Sequence, residues 1–171
     1  MKYYKLVYLS LFVTFGITLH MVESAIPIPL PLPGAKLGLA NIMALIAILL
    51  FGTKEGLTVN ILRCLIGSTL YGSTSSLIYS LSGAFVATVV MGVVNKYFNN
   101  IFSPVGISVF GGVFHNITQL IVAMIVLNTF GLYVYLPHLL LTGLFTGIFT
   151  GSVAYFAVKS LKSAINKIKF Q

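Results

Sequence analysis

No aspartate occurs anywhere in these 171 residues, and the acids are Glu23 and Glu55 alone. Chemistry that needs paired carboxylates, or a carboxylate-rich cage for a hard cation, has only those two to draw on. Cysteine occurs once, at Cys64 inside an apolar run, so neither an intrachain disulfide nor a thiolate metal site can be built. Charge of either sign is scarce, at 7% of residues against about 25% in an ordinary globular domain. A soluble domain is excluded. What fills the chain instead is hydrophobic, at 58% of residues with a mean hydropathy of +1.04. No polar linker divides it, so residues 1–171 read as a single integral membrane domain of all-α class.

Six segments are apolar enough to be read as membrane helices: 3–22, 36–51, 54–72, 75–95, 104–128 and 137–158. The sequence therefore predicts a polytopic six-transmembrane-helix bundle in the cell membrane. Helices two and three form a tight hairpin in this reading. Gly52 ends one helix in a left-handed conformation, Thr53 caps the next, and Glu55 sits in its first turn near the positive dipole end.

Lysine placement sets the orientation, because cytoplasmic loops retain positive charge. Lys2, Lys5, Lys54, Lys96, Lys159, Lys162, Lys167 and Lys169 fall on one side of such a bundle and Lys36 alone on the other. Both termini are thus expected in the cytoplasm. The formal net charge of +8 is a topological signal with attraction to anionic membrane lipid, not a nucleic-acid footprint. A rival reading takes residues 1–25 as a signal peptide, with Ser24 and Ala25 at its cleavage site. Against it, Ser10, Thr14 and Thr18 recur every four residues, a small-residue face that packs one membrane helix on another.

The stretch AIPIPLPLPG, from Ala25 to Gly34, holds Pro27, Pro29, Pro31 and Pro33 and cannot be helical. An outer loop at 23–35, extended and greasy, is expected to fold over the helix ends, either as a lid or as a stiff connector. Small residues also recur on helix four (Ser80, Ala84, Thr88, Gly92) and helix six (Gly143, Gly147, Gly151, beside Thr142, Thr146 and Thr150). Close backbone approach, within the bundle or against a partner, is what such faces permit.

Polar residues inside the spans are expensive there and mark candidate sites. Arg63 lies near mid-membrane, with Asn60 a turn before it and Gly67 a turn after. With Glu55 at the cytoplasmic end and Glu23 in the outer loop, its guanidinium has to use carbonyls, amides, water or an anionic ligand. Helix five adds His115, Asn116 and Gln119, with Gly111 and Gly112 removing bulk below them. Lys36 and Asn41 stand at the outer end of helix two. Together Lys36, Asn41, Asn60, Arg63, His115, Asn116 and Gln119 suit a cavity for an anionic or amide-rich ligand. The alternatives are an Arg63 bonded to backbone carbonyls and a His115 bonded between helices. No metal site or cofactor is indicated, since His20 and His138 lie on other helices with no carboxylate close in sequence.

The motifs PGAKLGLANI (33–42), GTKEGLTVNILRCLIGSTLYGS (52–73) and GGVFHNITQ (111–119) carry a resemblance over nearly the whole chain. It resembles the membrane family called heptaprenyl diphosphate synthase component I, or Gx transporter, which is similar to the substrate-binding S-components of energy-coupling factor (ECF) vitamin transporters. The resemblance implies a protein that captures a ligand beneath its first outer loop and docks on a transmembrane coupling subunit driven by two ATPases. S-components commonly dock through an alanine pair spaced four apart in the first helix, where this chain offers Ser10, Thr14 and Thr18. It has no phosphate-binding loop of its own for ATP.

The synthase label meets a chemical objection. The resemblance to prenyl diphosphate synthases would require two Asp-rich motifs holding magnesium, and this chain lacks aspartate. No serine or cysteine nucleophile stands beside a base either, so no enzymatic activity is expected of the chain itself. The leading expectation is a substrate-binding membrane subunit of S-component type for a small vitamin-like or anionic metabolite. The alternative is a non-catalytic accessory in isoprenoid or quinone synthesis, and a channel or secondary carrier comes third.

Overall fold

The computed structural model describes residues 2–25, 38–71 and 74–169, so Lys36 and the proline-rich stretch lie outside the described residues. Within them the chain forms six α-helices and no strand: α1 (Lys2–Ala25), α2 (Asn41–Phe51), α3 (Thr53–Tyr71), α4 (Thr74–Phe98), α5 (Pro104–Val126) and α6 (Leu136–Lys169). A 3-10 segment, Phe130–Tyr135, leads into α6.

Each expected helix is present, with its ends moved for local reasons. The outer loop does not begin at residue 23, because α1 continues through Glu23 to Ala25. Pro27 restricts the residue just before it, and nothing before that stops the helix. α2 starts at Asn41 rather than 36, since Gly38 adopts φ +86° and turns the chain, its carbonyl accepting the Asn41 amide at 2.9 Å. Gly52, at φ +112°, stops α2 and permits α3 to start at Thr53. α6 runs past the expected residue 158 because Val158 and Leu161 keep one side of it on the bundle core.

α2 occupies the middle. It packs against α1, α3, α4 and α6, while α1–α3, α3–α4, α4–α5 and α5–α6 are the remaining large contacts. At 11 residues it spans about 16 Å by the helical rise, well short of a bilayer core. Almost every side chain from Asn41 to Ile48 is buried, so protein rather than lipid surrounds it. By length and apolarity four helical stretches are sufficient to cross a membrane: Tyr3–Glu23, Leu77–Phe98, Pro104–Val126 and Phe130–Ser163. α3 falls short on composition because Lys54, Glu55 and Arg63 interrupt it.

Burial is inverted relative to a soluble protein. The outer surface carries Leu6, Phe15, Leu70, Phe85, Ile125, Phe145, Phe149 and Phe156, all exposed, while His20, Glu23, Asn60, Arg63, Thr88 and His115 are buried. Water disfavours such a surface and a bilayer matches it, so the chain is a multi-pass membrane protein.

Glycine faces set the closest approaches. On α6, a Cβ at Gly143 would stand 3.0 Å from the Gly112 carbonyl oxygen, one at Gly147 2.6 Å from Val109 Cα, and one at Gly151 2.6 Å from Val105 Cα. The expected small-residue face of α4, with Ser80, Ala84, Thr88 and Gly92, is buried as well. α1 behaves differently. It docks on the bundle through Phe12, Gly16, His20 and Glu23, whereas the Ser10–Thr14–Thr18 face is exposed, each hydroxyl donating to the carbonyl four residues back.

One end of the bundle gathers the C-terminal end of α2, the N-terminal ends of α1, α3 and α5, and the far part of α6. There Lys5 forms an ion pair with Glu55 and lies 5.9 Å from the Phe51 ring centroid. The α5 start is capped by Ser103, whose hydroxyl accepts the Gly106 amide, and Pro104 occupies the first turn.

Gly147→Val forces its side chain onto the α5 backbone, which cannot rotate away, and is expected to destabilise the protein by about 3 kcal/mol. Gly131→Ala, with nothing within 4 Å of the added carbon, is expected to be neutral. Thermal unfolding in detergent followed by circular dichroism compares the two directly.

Candidate functional site

The buried polar residues converge from α1, α2, α3, α4 and α5. Arg63, 2% exposed, uses each nitrogen once. Nε donates to Asn60 Oδ1 at 2.7 Å, Nη2 donates to Asn41 Oδ1 at 2.9 Å, and Nη1 lies 3.3 Å from His20 Nδ1. Every one of these partners is neutral or, for His20, titratable, and none is a carboxylate. A buried guanidinium is normally matched by a carboxylate, so this one sits among dipoles that soften but do not cancel its charge.

Asn60 and Asn41 extend the network. The Asn60 amide nitrogen donates to Asn41 Oδ1 at 3.2 Å, to the Ala84 carbonyl at 3.0 Å and to Thr88 Oγ1 at 2.6 Å. Thr88 in turn donates to the Ala84 carbonyl at 2.7 Å. Asn41 Nδ2 reaches His115 Nδ1 at 3.5 Å, which joins α5 to the cluster. Asn41 therefore touches Arg63, Asn60 and His115 at once.

Three glycines provide the seats. Gly16 faces the Arg63 stem, with a Cβ there lying 3.3 Å from Arg63 Cβ. Gly67 leaves room for the His20 ring, and Gly83 for the His115 ring, whose Cε1 and Nδ1 would both stand 2.9 Å from an added carbon. A fourth, Gly38, lies against both Asn41 and the Nε2 edge of His115, and its amide donates to the Glu23 carboxylate. Glu23, near the end of α1, and Gly38, just before α2, are thus joined beside the network.

Of the residues expected at a site, Asn41, Asn60, Arg63 and His115 form one connected group. Gln119 lies a turn beyond His115, buried and likewise against Gly83. Asn116 does not face the group. Its amide donates to the Leu139 carbonyl at 2.8 Å and to Thr142 at 3.2 Å, so it links α5 to α6. Lys36 lies outside the described residues. The structure adds His20, Glu23, Gly38 and Thr88. For His20 and Glu23 the signal in the sequence was the α1 spacing Phe12, Gly16, His20, Glu23, which puts these four residues on one helix face.

Among the buried side-chain polar atoms of the described residues, Ser68 Oγ, Ser80 Oγ, His115 Nε2 and Asn116 Oδ1 have no hydrogen-bond partner. Buried polar atoms are nearly always satisfied, so His115 Nε2, beside the Arg63 network, has capacity for one more polar group. No three His, Cys, Asp or Glu side chains gather as a metal site among the described residues.

The sequence profile of the family described as heptaprenyl diphosphate synthase component I matches residues 12–157, and the chain belongs to that family. No curated protein and no solved structure matches it.

Replacing Asn41 by leucine strips the shared acceptor from both Arg63 and Asn60. The expected loss is about 2–4 kcal/mol, because a buried charge is left short of a partner. Thr88→Val removes one of three acceptors from Asn60 and is expected to cost about 1 kcal/mol. Unfolding midpoints in detergent rank the pair, and equal effects would show that Asn41 does not anchor the network.

Proposed function

Proceeding from that family membership, we propose that the chain is a membrane-embedded substrate-binding subunit for a small anionic or vitamin-like metabolite, working with a separate energy-coupling partner. The observation that carries this reading is the buried Arg63 guanidinium with only uncharged or titratable partners. Such a charge gains most from an anion that arrives from outside, and His115 Nε2 beside it has room for a hydrogen bond.

In this reading the bundle crosses the membrane six times with both termini in the cytoplasm. The end bearing Lys5, Lys54, Lys96, Lys159 and Lys162 faces inward, in keeping with the retention of positive charge. The Arg63 network then lies toward the outer side. Lys36 and the proline-rich stretch, expected to close over the site, lie outside the described residues. Arg63 supplies charge and directional donors, Asn41 and Asn60 orient it, and His115 and Gln119 contribute further polar contacts.

For the partner, the exposed face of α1 is the natural surface. Ser10 and Thr14 line an outward groove of about 350 Å³ with Leu6, Val13, Ile17 and, from α3, Leu62. Thr18 is exposed one turn further along. Because each hydroxyl is bonded within its own helix, the face makes no polar demand and admits another helix closely. A coupling subunit with its ATPases is the partner this reading requires.

A second reading is favoured by the family's description. As component I of a heptaprenyl diphosphate synthase, the chain would be a membrane accessory to a second component, and the lack of aspartate would leave catalysis to that component. The Arg63 network would then be a packing device.

Gentle detergent purification of the tagged protein from its native cells, with mass spectrometry of copurifying proteins and small molecules, separates the two. Recovery of an integral coupling subunit, two ATPases and an anionic metabolite is the expected result. A prenyltransferase with no metabolite would overturn it in favour of the accessory. Arg63→Ala and the milder His115→Phe are each expected to lower metabolite recovery at least about tenfold while the protein still inserts. Degradation of Arg63→Ala together with unchanged recovery in His115→Phe would make the cluster structural.

A further inference from the structure

At the lysine-bearing end, α6 and its neighbours enclose a cleft of about 260 Å³ that the Arg63 network does not touch. It is lined by Leu49 of α2, Pro104 of α5, and Tyr155, Val158, Lys159 and Lys162 of α6. Lys159 and Lys162 are three residues apart, so both ammonium groups rise on the same side of one helix. They repel each other at that spacing.

Neither acidic side chain of the chain is available to neutralise them. It has two acids, of which Glu55 is paired with Lys5 and Glu23 accepts the Gly38 amide on α1. The start of α5 opens on the same cleft at Pro104 and adds the positive end of its dipole. Below the ammonium groups the walls are apolar, formed by Leu49, Val158 and the ring of Tyr155. Lys159 and Lys162 are exposed, and long amphipathic side chains of this kind place their stems on apolar surface while keeping the charged head in water.

From this juxtaposition of two unneutralised lysines and an apolar cleft at the bundle end, we propose a binding site for an amphiphile with a phosphate or diphosphate headgroup and a hydrocarbon tail. The headgroup bridges Lys159 and Lys162, and the first part of the tail enters between Leu49 and Val158. Free anions lack the tail and neutral lipids lack the charge, so each engages half of the site. Two ligand sources share this chemistry, an anionic phospholipid of the surrounding membrane and a prenyl diphosphate. The site is separate from the Arg63 network and stands or falls independently of the transport reading.

Native mass spectrometry of the full chain in neutral detergent tests it with four probes: dioleoyl phosphatidylglycerol, farnesyl diphosphate, farnesol and inorganic diphosphate. At least one of the two phosphate amphiphiles is expected to bind about tenfold more tightly than either farnesol or inorganic diphosphate. Whichever of the two binds tighter identifies the source. Lys159→Gln with Lys162→Gln is expected to remove that advantage, each single substitution to remove part of it, and Lys96→Gln to leave it intact. Inorganic diphosphate binding as tightly as the amphiphiles would overturn the proposal, because the apolar wall would then contribute nothing. An equal loss in Lys96→Gln would also overturn it, since attraction would then be diffuse. All variants alter exposed side chains, and circular dichroism verifies that each stays folded.

Discussion

A single oxygen, Oδ1 of Asn41, accepts from both the Arg63 guanidinium and the Asn60 amide, and the central part of the bundle is organised around that demand. A guanidinium taken out of water without a carboxylate must be surrounded by dipoles of the right sign. Asn41 can supply one only if α2 begins at that residue, and it does so because Gly38 turns the chain just before it. The brevity of α2 follows. A longer helix would carry Asn41 away from the level of Arg63, and a helix this short is tolerated because protein encloses it.

The same demand explains where the glycines fall. Bringing α1, α3, α4 and α5 around one charged side chain requires backbones to approach more closely than ordinary side chains allow. Gly16, Gly67 and Gly83 provide that room at the Arg63 stem, at His20 and at His115. Gly143, Gly147 and Gly151 do a different task between α5 and α6, where no charge is present and backbone contact itself holds the pair. Polar and apolar association therefore share the bundle: hydrogen bonds join α1 to α5 around the network, and α6 is held by close backbone contact together with hydrogen bonds from Asn116 to Leu139 and Thr142 and between Ser108 and Thr150.

Much of this was legible in the residues. Six apolar runs gave six helices in order, the Gly52 hairpin was visible from Gly52 and Thr53, and the cost of a buried charge singled out Arg63. Spacing alone linked Asn60 to Arg63 and Gln119 to His115, since each pair shares a helix. Relations across helices were not accessible in this way. Asn116 looked equivalent to its neighbour His115, yet one residue is a turn of about 100° on a helix, and that carries it to α6. Glu23 looked like a loop residue because prolines follow, although the conformational restriction that a proline imposes on earlier residues falls on the one just before it, and Glu23 stands four residues ahead of Pro27. On α1 the small residues Ser10, Thr14 and Thr18 lie on the exposed face, while Gly16, between two bulky neighbours, is the one that meets the bundle.

The distribution of acids ties the two candidate sites together. A chain with ten cationic residues and two acids has few ways to place its anions. Glu55 pairs with Lys5 and fastens the start of α1 to the start of α3. Glu23 accepts the Gly38 amide and so fixes the turn that sets Asn41. Both carboxylates thus join elements to one another, and neither bonds to Arg63 or to the Lys159–Lys162 pair. Had either acid been placed beside Arg63, the network would have been closed and self-sufficient, with no reason to attract an anion. In the proposed reading, Arg63 within the bundle and the Lys159–Lys162 pair at the lysine-bearing end are the two places where the countercharge comes from another molecule.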